Sequence, residues 1–459
     1  MQSLLDISLE SGALVNVVYS LSVISLGVLA TKRPLARWLR IQLLGGAIGA
    51  AVGFVLAWLI SEIWNTFDVA LSATTYLWFV AGVGAIGFAV SGIARSRLWR
   101  RIFAGASVGT FTLMLVVGVN SDIAEWPTVG SAFGLSHISA LSLPAIRPHS
   151  GPPKGTVIAS PTALPTALPT SLPSAITPSS AAVTLAQSWK APAGMPRKGS
   201  VGTVTIPATV SGFHPRQAIV YLPPAARVAN APRLPVLMML SGQPGQPSNV
   251  VTSGQLPQIL DDYALTHDGL APIVVIPDQL GVASSNPMCV DSPEGNSATY
   301  LTVDVPNWIT SNLHVLTNRV SWAIGGFSQG GTCSIQLGAG HPQLFGSVLD
   351  ICGQETPHNG SIAATIASAF GGSREAFLAA APIAIMQAGA PYPDTLGIFA
   401  IGQNDTRYGS AGVRVSDAAR AAGMTTHFLK SQGTAHDWHT VHFAITRALP
   451  LLYARWGLS

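Results

Sequence analysis

Charged side chains are scarce in this sequence. Asp, Glu, Lys and Arg make up only 10% of the 459 residues, whereas 48% are hydrophobic. This balance is too apolar for an ordinary soluble protein and indicates a membrane-embedded part. The net charge of +4 is small and is concentrated beside apolar runs. It therefore gives no support for nucleic-acid binding, and we expect no nucleic-acid partner.

Cysteine is also scarce. The only three are Cys289, Cys333 and Cys352. No pair of Cys or His residues has metal-ligand spacing on a plausible strand or turn, apart from His436 and His439, where catalysis is the better use. The sequence thus predicts neither a metal site nor a bound cofactor.

Four apolar runs occupy the first 120 residues. They cover about 12 to 30, 41 to 60, 74 to 94 and 102 to 120. Each approaches the roughly 20 residues that a helix needs to cross a bilayer. Asp6 and Glu10 precede the first run, where a cleavable signal peptide would carry basic residues. The runs contain no charged residue, which argues against a transport function.

The cations and acids flanking these runs predict their orientation. The loops after the first and third runs carry Lys32, Arg33, Arg37, Arg40, Arg95, Arg97, Arg100 and Arg101. The other flanks carry only acids, namely Asp6, Glu10, Glu62, Asp68, Asp122 and Glu125. The positive-inside rule then predicts a multi-pass protein of the cell membrane with both termini extracytoplasmic and a four-helix domain over residues 1–125.

Residues 126–187 are predicted to be an extracytoplasmic linker. They are rich in Pro, Ser, Thr and Ala, and include the near-repeat P-T-A-L-P-T-A-L-P-T at 161–170. Such a composition favours extended polyproline conformations and cannot bury a core. We therefore expect a tether that shares no core with either neighbour.

Short β-branched runs alternate with helical stretches over residues 188–459. They lie at 201–206, 217–222, 235–240, 272–277, 320–326, 346–351, 396–402 and 426–430. This is the spacing of βαβ units, and the near-continuous apolar strands indicate a mainly parallel sheet with helices on both faces.

Two serines match the pattern G-x-S-x-G. Ser107 lies within the fourth apolar run, with no ionisable neighbour in sequence to act as its base, and is read as a packing residue. Ser328 lies in G-F-S-Q-G, between a predicted buried strand and a predicted helix. This strand, elbow and helix order is the one that exposes a serine nucleophile above a sheet, as in α/β-hydrolases.

Four histidines follow late in the chain as possible bases. His427 falls within the last predicted strand, and His439 and His442 fall on the first turns of the final helix. His436 occupies the loop between them, from which a side chain reaches across the carboxyl edge of the sheet. We therefore predict His436 as the base.

Two aspartates follow strands and compete to orient that histidine. Asp405 follows the predicted strand at 396–402, and the order Ser328, Asp405, His436 is the one expected of α/β-hydrolases. It is favoured over Asp350, which ends the strand after the nucleophile and could equally be a helix cap or a satisfied loop carboxylate. The oxyanion-hole donors are predicted to be the backbone N–H groups of Gln329 and of Gln243 in the turn S-G-Q-P-G, although this segment could equally be only a tight turn.

Several motifs together carry a family resemblance. They are L-P-V-L-M-M-L-S-G-Q-P-G, T-V-D-V-P-N-W-I, N-R-V-S-W-A-I-G-G-F-S-Q-G-G, H-P-Q-L-F-G-S, I-G-Q-N-D and G-T-A-H-D-W. Over about residues 200–459 the chain resembles the esterase family that includes esterase D, feruloyl esterases and the antigen 85 mycolyltransferases. The resemblance implies a serine esterase or acyltransferase carried by Ser328, Asp405 and His436. Asp405 stands where the mycolyltransferases use Glu, which weakens a mycolyl-transfer interpretation.

The cysteine count fits one disulfide and one free thiol outside the cytoplasm. Cys333 lies on the predicted helix behind Ser328, and Cys289 lies in a long loop that we expect to border the site. A Cys289–Cys333 bond is favoured because it would fix that loop, and pairings with Cys352 stay open.

These patterns predict a membrane-anchored extracytoplasmic serine esterase that acts on lipid or cell-envelope esters through an acyl-enzyme. Two alternatives stay open. One is a mycolyltransferase-like acyltransferase of the envelope, and the other is a non-catalytic envelope protein that retains the hydrolase fold. The complete set of Ser328, Asp405 and His436 favours an enzyme.

Overall fold

The computed structural model describes residues 2–31, 35–64, 69–94, 96–135, 138–142, 183–282 and 285–459. Four of the charged residues used for the orientation, Lys32, Arg33, Asp68 and Arg95, lie outside the described residues. So does most of the predicted linker, residues 143–182. The domain limits 1–125, 126–187 and 188–459 therefore stay a prediction.

The N-terminal part is helical. After the short α1 (Gln2–Leu5) come α2 (Ala13–Ala30), α3 (Leu35–Trp58), α4 (Ala73–Ser91) and α5 (Leu98–Ile123), and a π-helical turn over Leu59–Ile63 prolongs α3. Among the residues that the structure describes, four helices are long and apolar enough to cross a membrane: Ala13–Ala30, Arg37–Ile63, Ala73–Ser91 and Leu98–Ile123. These match the four apolar runs, so the prediction of four candidate spans is confirmed.

Helices α3 and α4 approach each other closely through glycine. A Cβ atom at Gly49 would collide with the carbonyl of Val83, and one at Gly53 would collide with the carbonyl of Phe79. Glycine at every fourth position of α3 therefore allows backbone-to-backbone packing, as small residues commonly do between membrane helices.

The C-terminal part contains an eight-stranded sheet of order β1-β2-β4-β3-β7-β8-β9-β10 and a separate hairpin, β5 with β6. The strands are β1 (Ser200–Val204), β2 (Ala218–Leu222), β3 (Val236–Leu240), β4 (Ile273–Ile276), β5 (Asp291–Ser292), β6 (Gly295–Asn296), β7 (Trp322–Phe327), β8 (Ser347–Ile351), β9 (Leu396–Gly402) and β10 (Thr425–Ser431). Strand β2 pairs antiparallel with β1 and β4, and β4, β3, β7, β8, β9 and β10 run parallel. The predicted mainly parallel sheet is confirmed.

Helices complete this part of the chain. They are α6 (Val129–Ala132), α7 (Leu185–Ser188), α8 (Pro247–Val251), α9 (Leu256–Leu265), α10 (Ser297–Thr299), α11 (Val305–Asn312), α12 (Gln329–Gly340), α13 (Ile362–Ala369), α14 (Arg374–Ala379), α15 (Pro382–Gly389), α16 (Gly409–Ala421) and α17 (Trp438–Trp456). Every residue of β2, β3, β4, β7, β8 and β9 is buried, so both faces of the sheet are covered.

The chain between α5 and the proline-rich segment is packed against the sheet domain. Ala124, directly after α5, is fully buried in the same hydrophobic core as the strands. Further on, the N–H of Leu141 donates to Thr203 in β1 at 3.0 Å, and the N–H of Thr203 donates to Ser139 at 2.9 Å. Within the predicted linker, Ile138 and Leu141 pack against the hydrophobic core of the sheet domain. For residues 143–182, which lie outside the described residues, the expectation of a tether that shares no core with either neighbour stays a prediction.

Candidate active site

Ser328 stands at a sharp turn between β7 and α12. Its backbone has φ 58° and ψ −117°, a left-handed conformation that a residue with a side chain rarely adopts. The N–H of Ser328 donates to the carbonyl of Ile351 at 2.8 Å, which fixes the turn to β8. Such strain at one residue is typical of a functional site, since the neighbouring structure must impose it.

The two glycines of G-F-S-Q-G are required by close backbone contact. A Cβ atom at Gly330 would collide with the carbonyls of Leu240 and Ser241, and one at Gly326 would collide with the carbonyl of Gly330. The first turn of α12 thus lies directly against the end of β3. This contact brings Ser328 next to the turn that follows β3.

Three side chains predicted from the sequence meet at the carboxyl edge of the sheet. Nε2 of His436 lies 2.8 Å from Oγ of Ser328, and Nδ1 of His436 lies 3.0 Å from Oδ2 of Asp405. His436 follows β10 and Asp405 follows β9, and their side chains are only 5% and 1% exposed. The arrangement is that of a nucleophile, a base and an orienting carboxylate.

Asp405 stays ionised in this setting. Burial by itself raises its pKa, but the hydrogen bond with His436 and the N–H groups of Tyr408 and Arg407 lower the pKa below its ordinary value. Those two N–H groups donate to Oδ1 at 2.8 and 3.2 Å, which leaves Oδ2 for His436. The carboxylate is thereby held to one orientation.

The rival serine and aspartate lie elsewhere. Ser107 is buried within α5 and donates to the carbonyl of Phe103, one turn earlier, at 2.8 Å. Asp350 lies at the end of β8, where its Oδ1 accepts the N–H of Gly353 at 2.8 Å. The hydrogen bonds described for each of these residues involve neither Ser328 nor His436.

The rival histidines lie outside this cluster as well. His427 is on β10 and lines a surface cleft beside α17. Nε2 of His439 lies 2.9 Å from the carbonyl oxygen of Ser121, and Nε2 of His442 lies 2.8 Å from that of Ser253. The last two histidines therefore contact carbonyl groups rather than Ser328.

The predicted oxyanion donors border the same narrow cleft as Ser328. Gln243 and Gln329 both line it, together with His358 and Asn359. Gln329 is the first residue of α12, so its N–H belongs to the helical turn whose donors have no intrahelical partner. Their function as donors stays a prediction.

A network of buried amides, which the sequence did not reveal, holds this cleft. Nε2 of Gln279 donates to the carbonyl of Ser241 at 2.6 Å and to Oε1 of Gln329 at 2.9 Å. Asn286 accepts from Gln329 at 2.9 Å and donates to Oε1 of Gln243 at 2.8 Å. Asn and Gln carry no local sequence signal for such a role, because their partners lie dozens of residues away.

An ion pair, likewise missed, supports the turn after β3. Arg216 lies 2.7 Å from the fully buried carboxylate of Asp278. The same guanidinium donates to the carbonyl of Gly245 at 2.9 Å. The end of S-G-Q-P-G is thus fixed by a charged group.

The structure joins Cys289 to Cys333, with 5.6 Å between their Cα atoms. Cys352 is a buried free thiol whose pKa burial raises well above the ordinary value. Among the described residues, the cluster that could hold a metal ion is Cys352, Asp405 and His436, whose ligand atoms lie within 4.8 Å of one another. A metal ion bound there would compete with the hydrogen bond between His436 and Asp405.

The family described as Putative esterase matches residues 213–445 of the sequence, just over half of the chain. The chain belongs to this esterase family. The match includes all three side chains of the Ser328 cluster and the turn after β3.

Individual proteins are also similar to the chain. An uncharacterised protein of Corynebacterium glutamicum is 38% identical over 256 residues, which cover 55% of this chain and 60% of that protein. The chain thus spans less than two thirds of that relative. A ferulic acid esterase structure has 20% identity and a TM-score of 0.50, over 56% of this chain and 98% of its own. The structure of an S-formylglutathione hydrolase from Agrobacterium tumefaciens has 19% identity and a TM-score of 0.47, over 57% of this chain and 97% of its own.

Proposed function

We propose that the chain is a serine carboxylic ester hydrolase in which Ser328 is the nucleophile, His436 the base and Asp405 the orienting acid. The observation that carries this proposal is the continuous hydrogen-bonded series from Oγ of Ser328 through His436 to Oδ2 of Asp405. Membership of the esterase family supports the same chemistry.

The reaction follows from the positions of the protons. His436 takes the proton of Ser328 as Oγ attacks the ester carbonyl, and Asp405 stabilises the imidazolium that forms. The N–H groups of Gln329 and Gln243 are the proposed partners of the oxyanion. His436 returns the proton to the leaving alcohol, and the acyl-enzyme is then cleaved by water that His436 deprotonates.

The proposed substrate is a lipid or cell-envelope ester at the outer surface of the membrane. The outer ends of the candidate spans touch residues beside the site at three places: Glu62 with Arg407 at 3.7 Å, Ser121 with His439 at 2.9 Å, and Glu125 with Trp438 at 2.7 Å. These contacts support a placement in which the carboxyl edge of the sheet faces the bundle and, with it, the membrane surface. The Cys289–Cys333 bond supports an oxidising, extracytoplasmic location.

A fluorophosphonate probe tests the nucleophile directly, because it reacts with an activated serine. In the full chain, Ser328→Ala should abolish both probe labelling and hydrolysis of a short soluble ester. Ser107→Ala should leave both unchanged, since Ser107 is packed within α5. Labelling that survives Ser328→Ala in folded protein would contradict the assignment. A panel of lipid esters, assayed with and without an acceptor alcohol, then separates hydrolysis from acyl transfer.

A further inference from the structure

The chain that leaves the fourth candidate span docks onto the hydrolase domain through one carboxylate. Oε2 of Glu125 accepts the indole N–H of Trp438 at 2.7 Å, and Oε1 accepts the amide of Asn249 at 3.3 Å. The backbone carbonyl of Glu125 accepts the hydroxyl of Ser253 at 2.7 Å. Three side chains of the hydrolase domain thus converge on a single residue next to the membrane helices.

This contact is largely shielded from water. Ala124 beside it is fully buried, and Trp438 is only 6% exposed. Burial raises the pKa of Glu125 above its ordinary value, and the hydrogen bonds from Trp438 and its neighbours offset part of that rise. A Cβ atom at Gly254 would lie 3.2 Å from the Trp438 ring, so the indole fits against the backbone there.

Trp438 is linked to the site through one aromatic ring. The ring of Phe327 has its centroid 5.1 Å from that of Trp438 and 4.9 Å from that of His436. Phe327 is also the residue immediately before Ser328. The ring of Phe327 therefore contacts both the indole bound by Glu125 and the imidazole that faces Ser328.

We propose that Glu125 is a positioning residue for the Ser328–His436 pair and acts through Trp438 and Phe327. The physical reason is that a buried indole N–H is strongly disfavoured without an acceptor. Without Glu125 the Trp438 ring turns toward water, and Phe327, whose ring also packs on His436, then loses its packing partner. Small displacements of catalytic groups lower rates steeply. The inference rests on the proposed function, because it assigns Glu125 to that same site.

Four variants of the full chain in detergent or nanodiscs test this role. Glu125→Ala removes the acceptor, Glu125→Gln retains an acceptor oxygen, Trp438→Phe removes the donor but keeps a ring, and the fourth combines Glu125→Ala with Trp438→Phe. The readouts are the rate of fluorophosphonate labelling, kcat and KM for a short soluble ester, and the melting temperature. Rates are compared well below the lowest melting temperature.

Glu125→Ala should lower kcat and the labelling rate by about tenfold or more with little change in KM, because the unpaired indole moves and the resulting misplacement affects the chemical step. Trp438→Phe should have the same effect for a different reason, since the smaller ring has no hydrogen bond to Glu125 that holds it against Phe327. Glu125→Gln should stay close to the wild type, and the double variant should be no slower than the slower single variant. Independent effects that multiply in the double variant would overturn the proposal, as would full labelling rates in Glu125→Ala or Trp438→Phe. If Glu125→Ala does not fold, the comparison of Trp438→Phe with Glu125→Gln tests the positioning role by the same criteria.

Glu62→Gln is the matched control. Glu62 is also a carboxylate at the outer end of the bundle, but it is 44% exposed and its contact with Arg407 is 3.7 Å long. Its loss should leave the labelling rate unchanged, since exposed ion pairs contribute little. If the wild type is not labelled, or if the Ser328→Ala variant is still labelled, the proposed function fails. If labelling depends on Ser328 and none of the Glu125 or Trp438 variants slows it, only the positioning role fails.

Discussion

Asp350 provides a prediction that joins stability to pH. Its carboxyl group is buried behind Ser328 at the end of β8, and Oδ2 has no hydrogen-bond partner among the described residues. Burial raises its pKa from 3.8 to about 7, although the N–H of Gly353 partly opposes the rise. Asp350 is therefore protonated in the folded protein near pH 6, whereas in the unfolded chain it is ionised.

The sign of the effect follows from this difference. A group whose pKa is higher in the folded protein than in the unfolded chain contributes its full stabilisation at pH values below the unfolded-chain pKa. That stabilisation is lost as the pH rises through the pKa of the folded protein. For Asp350 the loss runs from about pH 4 to about pH 7. At 1.36 kcal/mol per pKa unit, the whole effect is at most about 4 kcal/mol, of which about 2 to 3 kcal/mol falls between pH 5 and pH 8.

Asp350→Asn should remove this loss, because the amide is neutral and can still accept the N–H of Gly353. Relative to the wild type, the variant should gain about 2 to 3 kcal/mol of unfolding free energy, or about 5 °C in Tm, between pH 5 and pH 8. Thermal unfolding of the full-length wild type and variant at pH 5 and at pH 8 measures the difference in stability between them. A difference in stability between variant and wild type that does not change with pH would refute the reasoning.

The same variant separates Asp350 from the proposed orienting acid. Asp350→Asn should keep ester hydrolysis, because the hydrogen bond described for Asp350 goes to Gly353. Asp405→Asn should lower kcat by about 10³-fold or more, because the amide would favour the wrong tautomer of His436. Equal losses in the two variants would contradict the assignment of Asp405.

Two further predictions concern the elbow and the topology. Gly330→Ala should abolish probe labelling and lower Tm, because its methyl group would collide with the carbonyls of Leu240 and Ser241; normal labelling would show that the elbow relaxes. A tag inserted after Arg97 should be protected from protease in intact cells, whereas one within residues 161–170 should be cleaved, as the positive-inside rule requires; the reverse pattern would place the hydrolase domain in the cytoplasm.

The elements predicted from the sequence are those with strong local patterns. All eight strand runs are strands of the sheet, and the four apolar runs are helices, because burial on both faces and membrane length each leave a continuous apolar signature. Ser328, Asp405 and His436 could be selected because each lies in the turn or loop that follows a predicted strand. In a parallel sheet, the carboxyl ends of neighbouring strands meet at one edge.

The supporting groups could not be found in this way. Gln279 and Asn286 contact partners about 40 residues away, and Trp438 and Glu125 are 313 residues apart in sequence. No periodicity or spacing rule connects such positions, since their contacts depend on how the sheet and the bundle pack. The proline-rich composition of the linker predicts a tether, but it does not reveal the buried contacts just before it, at Ala124 and Glu125.

The acids that flank the candidate spans, from which the orientation is predicted, also make contacts within the structure. We expect each of these carboxylates to have a hydrogen-bond or ionic partner, because burying a carboxylate without one costs free energy. The described contacts supply partners, namely Gln255 for Glu10, Arg407 for Glu62, Thr75 for Asp122 and Trp438 for Glu125. Three of these four partners belong to the hydrolase domain. Docking therefore accounts for acids on these flanks, and the predicted orientation rests on the cations of the opposite flanks.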